Sequence, residues 1–364
     1  MSLPRLIVVG PLPPPLHGVT ISTGLVLANR ELHRQFAIEH VDTSDHRSGE
    51  NLGRWDLTNV ALASRSVSQL VRRVHGRPGL AYLPVSQNVS GFLRDSLMIR
   101  LAAARGWKVA AHLRGSEFRS FRDCQPPWRR RWIDATLRRI DSIAVMGDGL
   151  RWVFAGLLPA DRIAVVANGT PDIARNGAPR EEDTVLFLSN LRRRKGVVES
   201  VETALAVLER RPSARFLFVG AWEDTALERE LRQRAAPSGD RVRFLAPVSG
   251  VDKDALLARA SMLLFPPVEP EGHPRVVLEA IAAGLPVVTT RRGAIPETVI
   301  DGDSGFVLDD PVPEALAASV LRLLEDGALR ARMGARAREL YLAEFTEPKA
   351  DRRLADWLRS VAAS

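Results

Sequence analysis

The chain has one cysteine, Cys124, among 364 residues. That excludes an internal disulfide and a cysteine-based zinc site, which needs several thiolates, so the composition suits a reducing compartment and a cytoplasmic location is expected. Long apolar runs are missing too. The segment Met1-Ser-Leu-Pro-Arg-Leu-Ile-Val-Val-Gly10 has four consecutive apolar residues, and no stretch approaches the roughly 18 of a membrane span. Neither a secretory leader nor a spanning helix is expected. Internal repeats and low-complexity segments are also lacking.

With 45% hydrophobic and 26% charged positions, the chain can build two ordinary globular domains. Its net charge of +8 is lopsided: Met1–Asp172 holds 23 Lys and Arg against 14 Asp and Glu, and the remainder is nearly balanced. A basic half beside a neutral one points to an anionic partner, whether a phospholipid surface, a lipid-phosphate acceptor or nucleic acid. Otherwise the surplus is only a soluble arginine-rich surface.

Short apolar runs recur between helical patterns at Leu6–Val9, Leu80–Leu83, Val109–Leu113, Ser142–Met146 and Ile163–Val166. A second series follows at Thr184–Leu188, Phe216–Val219, Val242–Leu245, Met262–Phe265, Pro286–Thr289 and Gly305–Leu308. Runs of this kind predict parallel strands covered on both faces, hence an α/β chain of two doubly wound units. The turn-rich segment Ala167–Pro179 separates them, with the boundary expected near Asp172. Three helices are expected after Asp310, the last opening after Thr346.

The first run leads into a proline-stiffened loop that ends at Gly18 as a helix begins. Helix N-terminal amides converge on anions and glycine permits close approach, so Gly18 is a candidate phosphate contact, with His17 beside it. Lys108-Val-Ala-Ala-His-Leu-Arg114 runs from a strand into polar residues, where ligands of open α/β sheets gather. Alternation puts His112 and Arg114 on one face, either as ligand contacts or as a core histidine beside a surface charge. In Leu186–Gly196 a cationic run, Arg192-Arg-Arg-Lys195, precedes a glycine that opens a helix. Arg194 and Lys195 there read as a diphosphate clamp rather than a solvated loop. Gly220 ends the next strand and permits backbone approach to a ligand.

The richest segment is Phe265–Val288. Glu271 lies in its loop and Glu279 on its helix, two acceptors suited to vicinal hydroxyls of a ribose and of a hexose. Gly272, His273, Pro274 and Arg275 form a loop that could face phosphate or the sugar ring. Glu279 sits among Val276, Val277, Leu278, Ala280 and Ile281, and a carboxylate in such company has a specific partner. Asp301-Gly-Asp303 has a spacing that could ligate a metal, but its context is that of a surface turn, and no metal site is expected.

At these residues the chain resembles the family-4 retaining glycosyltransferases, whose GT-B fold has two Rossmann-like doubly wound domains facing a cleft. The resemblance runs from Pro13-Pro-Pro-Leu-His-Gly18 through Asn168-Gly-Thr170, Arg194-Lys-Gly196 and Glu271–Glu279 to Glu297 and Gly305. Its most specific part is Glu-x7-Glu followed by Ala280-x-x-x-Gly-x-Pro-Val287. The resemblance implies that residues 1–172 bind the acceptor and 173–345 the nucleotide-sugar, with 346–364 a terminal helix returning to the N-terminal domain. It implies that Gly18 approaches the donor's phosphates and transferred sugar, and that Lys195, helped by Arg194, neutralises the diphosphate leaving group. Glu271 would bind the transferred sugar's hydroxyls and Glu279 the ribose, with the Gly272–Arg275 amides on sugar or diphosphate. The chemistry implied is metal-independent and cofactor-free, with retention through a front-side, oxocarbenium-like path.

Three positions depart from the family's pattern. Ser189 and Asn190 stand where many members have Gly-Arg. Arg114 rather than histidine precedes the polar turn at Gly115, with His112 two residues earlier, so the sequence leaves open which of the two faces the sugar. Pro274 replaces a common glycine and removes an amide donor. The activity expected is transfer of a hexose-type sugar to a hydroxyl of a polysaccharide, lipid-linked or small-molecule acceptor. The alternatives are a nucleotide-sugar epimerase of the same fold and a non-catalytic nucleotide-sugar-binding protein. The basic half favours a peripheral site on an anionic membrane surface over nucleic acid, which is not expected as a partner. Pro126–Ile140, with Trp128 and Trp132, is either an interfacial helix or a basic helix with inward tryptophans.

Overall fold

The computed structural model describes residues 3–14, 18–45, 57–173 and 180–364, with the side chains of 57–60 excluded. His17 and residues 174–179 of the expected linker lie outside the described residues. The chain divides into two compact units, Met1–Ala167 with Pro348–Ser364, and Asn168–Glu347.

The first unit runs β1 (Arg5–Gly10), α1 (Gly18–Ala28), α2 (Arg30–Gln35), β2 (Ala37–Asp42), α3 (Leu57–Arg73), β3 (Leu80–Pro84), α4 (Val89–Ala104), β4 (Lys108–His112), α5 (Phe118–Asp123), α6 (Pro127–Leu137), β5 (Ser142–Val145) and β6 (Ile163–Val165). Its strands pair in parallel in the order β2-β1-β3-β4-β5-β6. The second unit runs β7 (Thr184–Leu188), α7 (Val197–Arg210), β8 (Arg215–Val219), α8 (Thr225–Ala235), β9 (Val242–Leu245), α9 (Gly250–Arg259), β10 (Met262–Phe265), α10 (Arg275–Ala282), β11 (Val287–Thr290), α11 (Ile295–Thr298), β12 (Gly305–Leu308), α12 (Pro313–Glu325) and α13 (Gly327–Leu340). Its order, β12-β11-β10-β7-β8-β9, is again all parallel. Each sheet is doubly wound, the architecture expected for the GT-B class.

The strands form where the apolar runs lie: β4 is buried after its first residue, and β10 and β11 are buried throughout. Asn29, Asn88, Asp224 and Asp326 begin their helices by accepting first-turn N–H bonds. One strand gave no signal. β2, Ala-Ile-Glu-His-Val-Asp, is an edge strand with only Val41 fully buried, so it carries polar residues where a central strand cannot.

The terminal helix α14 (Glu347–Ala363) belongs to the first unit. Leu354, Ala355, Trp357, Leu358 and Val361 share a core with Leu6, Val8, Tyr82, Ala110 and Ala144, and Trp357 Nε1 donates to Ser142 Oγ at 2.9 Å. The units part at Ala167, ahead of Asp172, because the residues between are tied into the second unit. Thr170 N donates to the Phe345 carbonyl at 3.0 Å, Tyr341 donates to the Thr170 carbonyl at 3.1 Å, and Asp172 pairs with Arg338.

In a doubly wound sheet, ligands gather at the carboxyl ends of the strands where the order reverses. The reversal lies between β7 and β10 in the second unit and between β1 and β3 in the first.

Candidate active site

Both loops at the second unit's switch point carry residues singled out from sequence. Between β7 and α7 the chain turns through Gly196, with φ of 79°, and a Cβ there would lie 1.9 Å from the Pro266 carbonyl oxygen. Only glycine fits, and the fit lays the basic loop against the end of β10. Lys195 Nζ then donates to Glu271 Oε1 at 2.5 Å and lies 5.9 Å from the centroid of the Phe265 ring. The two expected donor contacts therefore face each other, and their side chains are 25% and 10% exposed.

The cationic run is not one solvated cluster. Arg193 pairs with Glu230, Arg194 Nε lies 3.6 Å from Glu269 Oε2, and Lys195 takes Glu271, so each of these three is aimed by a separate carboxylate. The Arg194 carbonyl also accepts from Val268 and Glu269 N–H at 3.1 and 3.3 Å, which fastens the loop after β7 to the loop after β10. Gly220 serves a different approach from the one expected: a Cβ there would meet the Ser189 carbonyl at 1.8 Å, so its missing side chain admits protein backbone.

Glu279, on α10, has the specific partner its apolar surroundings require. Its Oε1 accepts from Lys253 Nζ at 2.7 Å, and the carboxylate side chain is 10% exposed. Lys253 lies on α9 and was missed from sequence, since no motif marks it. The signal available was indirect, a buried carboxylate that needed a cation from elsewhere.

The His273 side chain holds the loop in place. Backbone N–H groups only donate, so the Asn168 N–H at 3.2 Å makes His273 Nδ1 the acceptor and leaves Nε2 to donate to Thr298 Oγ1 at 2.8 Å. Thr298 passes its own proton to the Ala294 carbonyl, Asn168 Nδ2 donates to the His273 carbonyl, and the ring packs on Phe345. Both ring nitrogens are thus committed to holding Asn168 and the loop together, and the side chain has none left for a ligand. The Gly272 carbonyl accepts from Ala294 N–H at 2.9 Å, fixing the loop below. Pro274 is the N-cap of α10, which Arg275 opens, and its side chain makes no cap hydrogen bond; helix N-termini of this kind carry positive potential.

In the first unit Gly18 opens α1, is exposed, and would tolerate a Cβ with nothing within 4 Å. Unlike Gly196, it is not required by the fold. His112 and Arg114 differ sharply in their surroundings. His112 is 0% exposed, enclosed by Tyr82 and by Trp357 of α14, whose ring centroids lie 6.0 and 5.7 Å away. Burial, then the Arg114 charge, hold its pKa well below the ordinary histidine value. His112 is enclosed in the core, whereas Arg114 is partly exposed. The two tryptophans of α6 also divide. Trp132 packs edge-on against Phe92 at 5.4 Å, whereas Trp128 is 64% exposed. Asp301 Oδ1 accepts from Val307 N–H at 2.9 Å and Asp303 pairs with Arg336, so both carboxylates serve the turn they sit in.

Known proteins resemble the chain in sequence over its second half and in fold throughout. A phosphatidyl-myo-inositol mannosyltransferase of Mycolicibacterium smegmatis is 33% identical over 165 residues, 45% of this chain and 42% of that protein. A GDP-mannose-dependent alpha-(1-6)-phosphatidylinositol monomannoside mannosyltransferase of Mycobacterium tuberculosis is 34% identical over 190 residues, 49% of this chain and 48% of that one. The chain thus spans less than half the length of these curated relatives. Among solved structures, Anabaena HepE in complex with UDP superposes with a TM-score of 0.75 at 19% identity, covering 99% of this chain and 100% of that one. Sucrose-phosphate synthase of Thermosynechococcus elongatus gives 0.72 at 18% identity over 99% and 100%. These likenesses show the fold. Residues 170–340, the segment that holds Lys195, Glu271 and Glu279, match the family described as glycosyl transferases group 1.

Proposed function

We propose that the chain is a retaining glycosyltransferase that moves a hexose-type sugar from a nucleoside-diphosphate-sugar to a hydroxyl of a glycan or lipid-linked acceptor, without a metal ion or other cofactor. The observation that carries this reading is the Lys195–Glu271 pair at the switch point of a group 1 glycosyl transferase segment. Relatives named for GDP-mannose and a fold neighbour solved with UDP and glucose support a nucleotide-sugar donor.

In this mechanism Lys195, with Arg194, receives the negative charge that builds on the diphosphate as the glycosidic bond breaks, the work a divalent cation does elsewhere. The first-turn amides of α10 add positive potential to the same charge. Glu271 accepts from hydroxyls of the transferred sugar and Glu279 from the ribose. Gly18 and Arg114 are proposed as further donor contacts, as the resemblance implies.

The test is a binding and turnover screen of UDP-, GDP-, ADP- and dTDP-sugars with EDTA present. Release of nucleoside diphosphate with an acceptor supports transfer. An epimerised donor with no acceptor supports the epimerase reading, and binding without turnover under any acceptor supports a binding protein.

Lys253 yields a narrower expectation. Lys253→Met leaves Glu279 without its cation and free to turn from the ribose, so KM for the donor rises about tenfold with kcat little changed. Initial rates across donor concentration decide it, and an unchanged KM contradicts the role.

We further propose that the first unit meets an anionic membrane surface. Trp128 stands exposed with the Arg129 guanidinium 4.9 Å from its ring, and Leu93 and Leu97, one turn apart on neighbouring α4, are 46% and 52% exposed. No helix among the described residues is long and apolar enough to cross a membrane, so the contact is peripheral. The wild-type chain should float with anionic phosphatidylglycerol vesicles at low salt, and Leu97→Ser/Trp128→Ser should lose most of that binding. Absence of wild-type flotation contradicts the proposal.

A further inference from the structure

Tyr82 on β3 is 2% exposed, yet its hydroxyl lies between two nitrogens of the adjacent strand's end. Arg114 Nη2 is 2.8 Å away and His112 Nδ1 is 3.1 Å away. A guanidinium can only donate, so the phenol oxygen accepts from Arg114 and its own proton goes to Nδ1. The hydrogen bonds therefore run one way, from Arg114 through Tyr82 to His112, and the imidazole proton rests on Nε2. That nitrogen is buried, with no hydrogen-bond partner among the described residues beyond a weak approach to the Val166 backbone. Trp357 closes the cluster, its ring centroid 6.2 Å from Tyr82 and 5.7 Å from His112. A second contact steadies the guanidinium, Nη1 lying 3.9 Å from Met146 Sδ.

A buried tyrosine needs a partner for its hydroxyl, and His112 alone would supply one. A buried, desolvated histidine whose second nitrogen is poorly satisfied is a costly way to do so unless the direction it imposes is used. What uses it is Arg114, the member of the cluster that reaches the surface. Arginine carries the charge on a long flexible stem and gives up substantial rotamer freedom when it must point one way.

We propose that Tyr82 is a positioning residue for sugar transfer: seated on His112, it fixes the direction in which Arg114 presents its guanidinium to the donor. The inference rests on the reading of Arg114 as a donor contact. Burial of His112 supports it by keeping the ring an acceptor rather than a second cation beneath the arginine.

The experiment is a double-mutant cycle on the full chain, with Tyr82→Phe and Arg114→Ala alone and together. UDP-glucose and GDP-mannose serve as donors first, then the other donors of the screen. Tyr82→Phe keeps the ring and its packing, so the melting temperature should stay within a few degrees. Its kcat should fall about tenfold with donor KM within about twofold. In the Arg114→Ala background the same change should cost less than about twofold, because the group through which Tyr82 acts is gone. A Tyr82→Phe variant with wild-type kcat overturns the inference, as does a tenfold loss that persists without Arg114. If Arg114→Ala alone turns over normally, Arg114 is no donor contact and the inference falls while glycosyl transfer stands. A wild-type chain that turns over none of the donors overturns both.

Discussion

Lys195→Met should lower donor turnover by about a hundredfold or more and weaken binding of the free nucleoside diphosphate, read by titration calorimetry. Lys195 is held by the Gly196 turn against the end of β10 and is paired with Glu271 alone among the carboxylates described. Arg194 is directed toward Glu269 and Arg193 toward Glu230, so neither takes over without breaking its own contact. Removing the cation strands a carboxylate side chain that is 10% exposed, which lowers stability as well. The double variant Lys195→Met/Glu271→Gln separates the two effects. A neutral pair in the same space should recover the melting temperature but not the turnover. Turnover within a few-fold of wild type in Lys195→Met would remove the phosphate role.

Glu271→Gln should lower kcat/KM for transfer by about a hundredfold, with the opposite effect on nucleoside diphosphate binding. The Lys195 ammonium and the Glu271 carboxylate satisfy each other at 2.5 Å. An incoming diphosphate must take the ammonium from the carboxylate, and only the sugar's hydroxyls give the carboxylate a replacement. A nucleoside diphosphate lacking the sugar leaves Glu271 unpaired, so wild type binds it against that penalty. Glutamine removes the penalty and UDP or GDP should bind several-fold tighter. Calorimetry on the two variants thus gives opposite signs, and equal weakening by both would contradict the division of labour between the loops.

The central strands and the second unit's site were legible because both depend on local sequence. A parallel strand buried on both faces must be a short apolar run, and β7, β8, β9 and β10 lie where such runs lie. Gly196 and the cations before it signalled a turn that the Pro266 carbonyl confirms. Edge strand β2 escaped because an exposed edge relaxes the demand for apolar residues. His112 and Arg114 share a strand face, and alternation alone does not say what covers it. The cover at His112 is Trp357, which the sequence places at the far end of the chain. Lys253 was hidden likewise, since its reason for being there is a carboxylate on another helix. His273 stood in the most recognisable loop and proved to be a fastener, because motif membership does not specify which way a side chain turns.

The return of α14 to the first unit sets an order of assembly. The second unit occupies one unbroken stretch, Asn168–Glu347, and has every residue it needs before synthesis ends. The first unit begins earlier but lacks Leu354, Trp357, Leu358 and Val361 until the last turns of helix emerge. Until then the face carrying Tyr82 and His112 is open to water and to other chains, which makes the nascent N-terminal half the natural client for chaperones. The half translated first is the half that finishes last.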